Sequence, residues 1–499
     1  ERQWHMKLTN LLRPIKYSIL QGESEPDIEK VTHDSREVER DTLFVCIKGS
    51  ATDGALYVGE AVEKGAVAIL ADRRIEVPRE VTFILVENVR ETLAKIASVF
   101  YGEPSKEMTV IGITGTKGKT TTAYMIYHIL EQSGYKVGLI GTIEIRIGEK
   151  RIPAKNTSPE SVNIQRFLRE MVRQKCDIAV MEVSSQGLKL HRTDEIQFDI
   201  GIFTNLGKDH IGKFEHKDFE EYKNCKAKLF SQSDFGIANM DSPYWREMFL
   251  RANCDVETVG FSKEADYYAS DEVVTRKSGR LGIRYRLNGK DRGDIVLSMA
   301  GRFNIYNSLC AIAVCRRLGV SFEKIRQSLC KTQVKGRVEQ ISTNKGTIIL
   351  IDYAHNAMSL QSILEMVHSY RPHRIICIFG CGGNRAKERR YEMGKVSGAL
   401  ADFTIITSDN PRYENPLQIM SEIREGVEDG NGNYLEICNR EEAIRYGIKY
   451  AGAADIIVIA GKGHEEYQEI EGIRYHMTDR EVVCHIIDEE KKNVCRYYY

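Results

Sequence analysis

Short apolar runs alternate with amphipathic stretches along nearly the whole chain. Thr42 to Ile47, Ala66 to Leu70, Thr109 to Ile113, Ile178 to Val183, Ile200 to Asn205, Ile348 to Ile351, Ile375 to Phe379 and Ile456 to Ala460 each read as buried strands. Behind Thr109–Ile113, the apolar positions Met125, Ile126, Ile129 and Leu130 recur at helical spacing. Strands and helices in alternation predict an α/β fold with mainly parallel sheets. Three blocks separate: residues 1–106, ending near the turn Gly102-Glu103-Pro104-Ser105; residues 107–335; and residues 336–490, whose strand ends suggest a Rossmann-like domain. Polar residues gather just past the strands, where open α/β sheets bind ligands.

The sharpest chemistry sits at the first such strand end. Gly115, Thr116, Lys117, Gly118, Lys119, Thr120 and Thr121 join a strand to a helix. Glycines there let backbone N–H groups approach phosphate oxygens, and the helix N-terminus adds partial positive charge. Lys119 can reach terminal phosphates and the Thr120 hydroxyl can ligate Mg²⁺. The pattern predicts a nucleoside triphosphate site. Ile113 stands where the common phosphate loop has its first glycine, which points away from GTPases and kinases.

Glu182 ends a strand, so it reads as a metal ligand beside that loop, or alternatively as a carboxylate at a helix N-terminus. His210, next to Asp209, is a candidate second ligand, with capping as the blander role. Pattern alone reads Lys226 as a surface lysine.

Composition narrows the classes. Lys+Arg and Asp+Glu both total 71 in 499 residues, so nothing favours a nucleic-acid partner. No run of 18 apolar residues exists, and no membrane span is expected. Twelve cysteines show neither a Cys-x-x-Cys pair nor zinc-finger spacing, which reads as reduced cytosolic thiols. Glu1-Arg2-Gln3-Trp4-His5 is no signal peptide, so a cytoplasmic protein is expected. The third block lacks Gly-x-Gly-x-x-Gly with an acidic ribose ligand, which argues against a nicotinamide site.

An ordered set of motifs carries a family resemblance. The phosphate loop, Glu182-Val183-Ser184-Ser185, Thr204-Asn205-Leu206 with Asp209-His210, and Tyr222 to Phe230 come first. Gly301-Arg302-Phe303-Asn304 with Asn307, Gly336-Arg337 and Asp352-Tyr353-Ala354-His355 follow. Across about residues 30–490 the chain resembles the Mur ligases. Asp34-Ser35-Arg36 before Leu43-Phe44-Val45 resembles the family's uridine-binding N-terminal domain. Asp409-Asn410-Pro411-Arg412 and Gly461-Lys462-Gly463-His464-Glu465 resemble its C-terminal amino-acid site.

The resemblance implies three domains: a small uridine-binding α/β domain, a central P-loop ATPase and a C-terminal Rossmann-like domain. It implies an ATP-dependent amide ligase that adds a diamino acid, meso-2,6-diaminopimelate, to UDP-N-acetylmuramoyl-L-alanyl-D-glutamate through an acyl phosphate. ATP would lie on the loop residues and Asn304, Asn307, Arg337, Asp352 and His355. Mg²⁺ would be held by Thr120, Glu182, His210 and Lys226, the lysine carrying a CO₂-derived carbamate. Lys119, Lys226, His210 and Arg337 would be catalytic. Ser35, Asn156, Thr157, Ser158, Ser184 and Arg192 would meet the UDP substrate. Arg390, Asp409, Asn410, Arg412, Gly461 and Glu465 would meet the amino acid. Arg412 suits a distal carboxylate and Glu465 a distal ammonium, which favours diaminopimelate over lysine; the alternative is that Arg412 only braces a loop. A monomer is expected.

Three stretches depart from the family pattern: Leu190 in Gln186 to Arg192, Ile211 to Phe214, and Asn356-Ala357. They keep open a paralogue with another amino acid or acceptor. Folylpolyglutamate synthetase is a rival that lacks the N-terminal domain, and a nucleotide-gated binding protein is the non-enzymatic one.

Overall fold

The apolar runs fold as the strands they predict. A computed structural model of the chain describes residues 5–22, 25–49, 52–209, 211–212, 215–277 and 279–496. His210, Lys213 and Phe214 lie outside the described residues. The chain divides into two compact units: residues 1–268 with 309–324, and residues 269–308 with 325–499.

The first unit holds two α/β layers. One is a five-stranded sheet in the order Ser18–Gln21, Thr82–Leu85, Ala66–Ala71, Thr42–Val45, Lys30–Thr32. It is parallel except for the antiparallel edge Ser18–Gln21. Leu43, Val45, Leu70 and Ile84 pack on Leu93 and Ile96 of the helix Val89–Phe100. That helix starts where the Asn88 side chain accepts the N–H groups of Arg90 and Glu91, filling two of its four orphan donors.

In the second layer Val137–Ile140, Ile178–Glu182, Thr109–Thr114, Ile200–Phe203, Phe235–Asn239 and Asp255–Gly260 pair in parallel, in that order. Ile113 lies opposite both Glu182 and Ile202. This register brings Gly115, Glu182 and Thr204 to one edge of the sheet, although they are far apart in the chain.

The second unit is built on a six-stranded sheet, Glu339–Ser342, Ile348–Asp352, Ile456–Ala460, Ile375–Phe379, Phe403–Ile406, Tyr434–Glu436. Only the first pairs antiparallel. Ile349, Ile351, Ile457 and Ile459 face one core, and Leu350, Val458 and Ala460 the other. Both faces are covered, which is why these strands are apolar throughout instead of alternating. The antiparallel pair Arg280–Gly289 and Gly293–Leu297 has no counterpart among the predicted strands. Among the described residues no helix is long and apolar enough to cross a membrane.

Candidate active site

The phosphate loop sits between the strand Thr109–Thr114 and the helix Lys119–Gln132. Gly115 has φ +150°, and a Cβ there would stand 1.9 Å from the Thr204 Oγ1. Only glycine lets the loop lie this close to the neighbouring strand end. Lys119 Nζ donates to the carbonyls of Gly115 (2.8 Å) and Thr116 (3.2 Å), so its ammonium curls over the loop. Thr116 Oγ1 meets the Tyr222 hydroxyl at 3.0 Å and accepts the Gly207 N–H. Lys117 donates its N–H to Asn205 and its ammonium reaches Asp209 at 3.3 Å. Thr121 is buried in the first helical turn.

Glu182 is fully buried. Its carboxylate accepts from Thr120 Oγ1 (2.8 Å), the Thr142 N–H (2.8 Å) and Thr142 Oγ1 (2.9 Å). The capping role belongs to another residue: Ser184 caps the helix Ser185–Lys189 by accepting the Gly187 N–H at 3.0 Å. A hydroxyl and a carboxylate, both hard oxygen donors, fit Mg²⁺. No group of three or more His, Cys, Asp or Glu suited to a metal occurs among the described residues. Mg²⁺ tolerates this, because it keeps water and phosphate oxygens in its shell.

Lys226 overturns its surface reading. It projects from the helix Phe219–Ser231 and is only 1% exposed. Its Nζ donates to the Gly115 carbonyl at 2.9 Å and lies 4.6 Å from the Tyr222 ring centre. Burial, reinforced by the nearby Lys119 charge, pushes its pKa well below the usual lysine range. The helix turns it inward because it shares a face, at three- and four-residue spacing, with buried Tyr222, Leu229 and Phe230. That spacing is the signal in the chain that the surface reading passed over.

A second cluster surrounds the segment after Pro153. Ser158 Oγ donates to the Glu182 carbonyl and accepts the Ser184 N–H. Thr157 meets Thr142 at 3.0 Å, while Asn156 is exposed. Arg192 donates to the Ser158 carbonyl and twice to Glu160, which Arg90 also reaches at 3.2 Å. Burial opposes ionisation of Glu160, but the Arg192 and Arg90 charges outweigh it and hold the carboxyl below its usual range. Ser35 is buried and donates to Glu60 of the helix Val58–Glu63 at 3.3 Å.

In the second unit Asp409, Asn410, Arg412, Gly461 and Glu465 converge past the strands Phe403–Ile406 and Ile456–Ala460. Asn410 Nδ2 donates to Glu465 at 2.9 Å, and Asp409 accepts the Asn410 N–H at 2.6 Å. Fully buried Lys462 donates to both Asn410 and Glu465 at 3.2 Å. Arg412, half-buried, donates to the Gly383 carbonyl at 2.6 Å and approaches Glu469 at 3.7 Å. Arg390 is only 1% exposed, with its guanidinium on Glu414 and Glu422.

Elsewhere in this unit Val338 donates its N–H to Asp352, and Arg337 lies 5.0 Å from the Tyr353 ring, with its Nε–H unpartnered among the described residues. His355 Nδ1 is 2.8 Å from the Tyr353 carbonyl. Asn304 is buried, donating to the Ala300 carbonyl and accepting from Asn307.

Sequence reading did not single out Thr142, Arg90, Glu160 and Lys462, which the structure bonds to the candidate residues or to their partners. Thr142 stands just beyond an apolar strand, so the strand-end rule could have found it. Arg90 has no local signal.

A phosphate loop with a hydroxyl–carboxylate pair, joined in one chain to a further parallel sheet rimmed by charged turns, defines a multidomain P-loop protein. Profiles described as Mur ligase family, catalytic domain, Mur ligase middle domain, and Mur ligase, glutamate ligase domain match residues 27–101, 113–315 and 336–463. The chain belongs to the Mur ligase family, and is accordingly an ATP-dependent ligase that forms amide bonds.

It is 42% identical to the UDP-N-acetylmuramoyl-L-alanyl-D-glutamate--2,6-diaminopimelate ligase of Caldanaerobacter subterraneus subsp. tengcongensis, over 98% of this chain and all of that one. The ligase of the same name from Alkaliphilus oremlandii is 41% identical over 97% of this chain and 99% of its own length. A solved structure of a ligase so named shares 26% identity with a TM-score of 0.68, covering 97% of this chain and 99% of that one. A Mycobacterium tuberculosis folylpolyglutamate synthase structure, at 17% identity and TM-score 0.62, shares the fold over 75% of this chain.

Proposed function

We propose that the protein joins meso-2,6-diaminopimelate to the D-glutamate of UDP-N-acetylmuramoyl-L-alanyl-D-glutamate, in the cytoplasmic synthesis of peptidoglycan precursors for cell-wall growth and division. The relatives bearing that activity in their names support the reading. The observation that carries it is the Asp409–Arg412 turn, where Asn410 bonds the Glu465 carboxylate and Arg412, two residues on, holds its guanidinium on the Gly383 carbonyl. A guanidinium and a carboxylate in one cluster suit an amino acid with both a distal carboxylate and a distal ammonium. We read the protein as acting as a monomer.

In this reading the acceptor's carboxylate oxygen attacks the γ-phosphorus of ATP and ADP leaves. The amine of the diamino acid then attacks the acyl carbon, and inorganic phosphate leaves as the amide forms. Lys119 neutralises charge growing on the transferred group. Thr120 and Glu182 would hold Mg²⁺, which when bound supplies further charge neutralisation at the phosphates. The neutral Lys226 amine attacks CO₂, sheds a proton to water and becomes a carbamate anion. The negative charge so gained turns a buried amine beside the loop into a cation ligand. Ser158, Ser184 and Arg192 would orient the acceptor.

The test is phosphate release from ATP with the UDP-dipeptide, comparing diaminopimelate, lysine and ornithine. Release that needs diaminopimelate supports the reading. Release with lysine alone keeps the ligase and overturns the Arg412 argument. No release with any of the three points to a different acceptor.

A further inference from the structure

Past the two strand ends that carry the amino-acid cluster lies a buried ion pair that the reaction scheme leaves without a role. Arg440 opens the helix Arg440–Tyr450 and Asp479 opens the helix Asp479–Arg496. Their side chains are 1% and 0% exposed. Arg440 Nε donates to Asp479 Oδ1 at 2.7 Å, and Nη2 donates to Oδ2 at 2.9 Å. Asp479 thereby fixes the plane of the guanidinium.

The remaining donors of that plane go to backbone. Nη2 donates to the Ala460 carbonyl at 3.1 Å and Nη1 reaches the Ser408 carbonyl at 3.5 Å. These two carbonyls belong to the peptides that lead directly into Gly461 and Asp409. One guanidinium therefore touches the root of both turns. The turns themselves are close: Gly461 has φ +111°, and a Cβ there would stand 2.7 Å from Asp409 Oδ2. Asn410 and Glu465, one on each turn, then meet at 2.9 Å.

We propose that Arg440, anchored by Asp479, is a positioning residue for the amino-acid substrate, setting the separation of the Ser408–Arg412 and Ala460–Glu465 turns. This rests on the function proposed above. Only a planar fork can bind a carboxylate on one edge and two carbonyls on the other; a lysine ammonium keeps the charge but is a point donor. Loss of the fork lets the turns drift, and the cluster that reads the amino acid loosens while the phosphate loop, in the other unit, is untouched.

The test is Arg440→Lys, with KM measured separately for diaminopimelate, ATP and the UDP-dipeptide. The expected result is a KM for diaminopimelate raised about tenfold or more, with the other two within about twofold. Equal rises in all three, or an unchanged diaminopimelate KM, overturn the proposal. Asp479→Glu, which keeps the charge pair but shifts the anchor, should give the same split and serves if the lysine variant does not fold. Wild-type protein that shows no amino-acid-dependent phosphate release would defeat the function itself, a result distinct from a missing KM split.

Discussion

Lys226 is the side chain for which chain pattern and surroundings differ most. A lysine flanked in the chain by Lys223 and Lys228 is ordinarily solvated, yet this one touches the phosphate loop carbonyl and is closed off from water. A neutral amine in the folded chain and an ammonium in the unfolded chain mean that the unfolded state binds the extra proton. Stability then rises with pH, from the lowered folded value up to about 10.4. Lys226→Met should remove that rise, checked by urea unfolding at neutral and alkaline pH in CO₂-free buffer; an unchanged slope would show the amine to be charged in the fold. The same variant should lose ligation by about 100-fold or more, and wild-type turnover would end the carbamate reading. Arg412→Ala should raise KM for diaminopimelate far more than KM for ATP. Equal changes would leave Arg412 as a brace for the Gly383 turn.

Among elements, the phosphate loop and its helix are the most constrained by local sequence. The loop conformation depends on Gly115 because the Thr204 side chain occupies the space a Cβ would need. Gly115→Ala should push the loop away from Thr204 and weaken ATP binding by about tenfold or more, a loss of about 1.4 kcal/mol. Isothermal titration with a non-hydrolysable ATP analogue reads it directly, and wild-type affinity would refute the steric argument. The predicted strands recur with ends shifted by one or two residues at most; Ile456–Ala460 is unchanged. Buried parallel strands leave an uninterrupted apolar signature. The antiparallel pair Arg280–Gly289 and Gly293–Leu297 carries a different signature, buried Leu281, Ile283, Tyr285 and Leu287 in alternation with exposed Arg284 and Arg286, which a search for continuous apolar runs passes over.

At the scale of the whole molecule, half-buried imidazoles are spread through both units. Burial, helped by Arg146, lowers the His128 pKa to about 4, and burial with Arg337 and Lys335 lowers that of His464 to about 3. His33 is lowered in the same direction by burial. Below the ordinary value of about 6.5 the unfolded chain takes up protons that the folded chain refuses, so stability falls as pH drops from about 6.5 towards 4. The midpoint of thermal unfolding should be lower by about 5 °C or more at pH 4.5 than at pH 7. His464→Gln should lessen that drop, and an unaltered pH dependence would place the acid sensitivity elsewhere.

By itself the sequence determined what is local. Strand and helix order, the phosphate loop and the ordered family motifs are written in residues a few positions apart, where periodicity, glycine placement and capping act. Tertiary structure decided what joins distant segments: Thr142 on Glu182, Arg90 with Arg192 on Glu160, Lys462 between Asn410 and Glu465, and Arg440 with Asp479 beneath two turns. The reason is physical. A side chain's burial and charge depend on which strand ends the sheet register brings beside it, and register is a property of the packed sheet, not of any one strand.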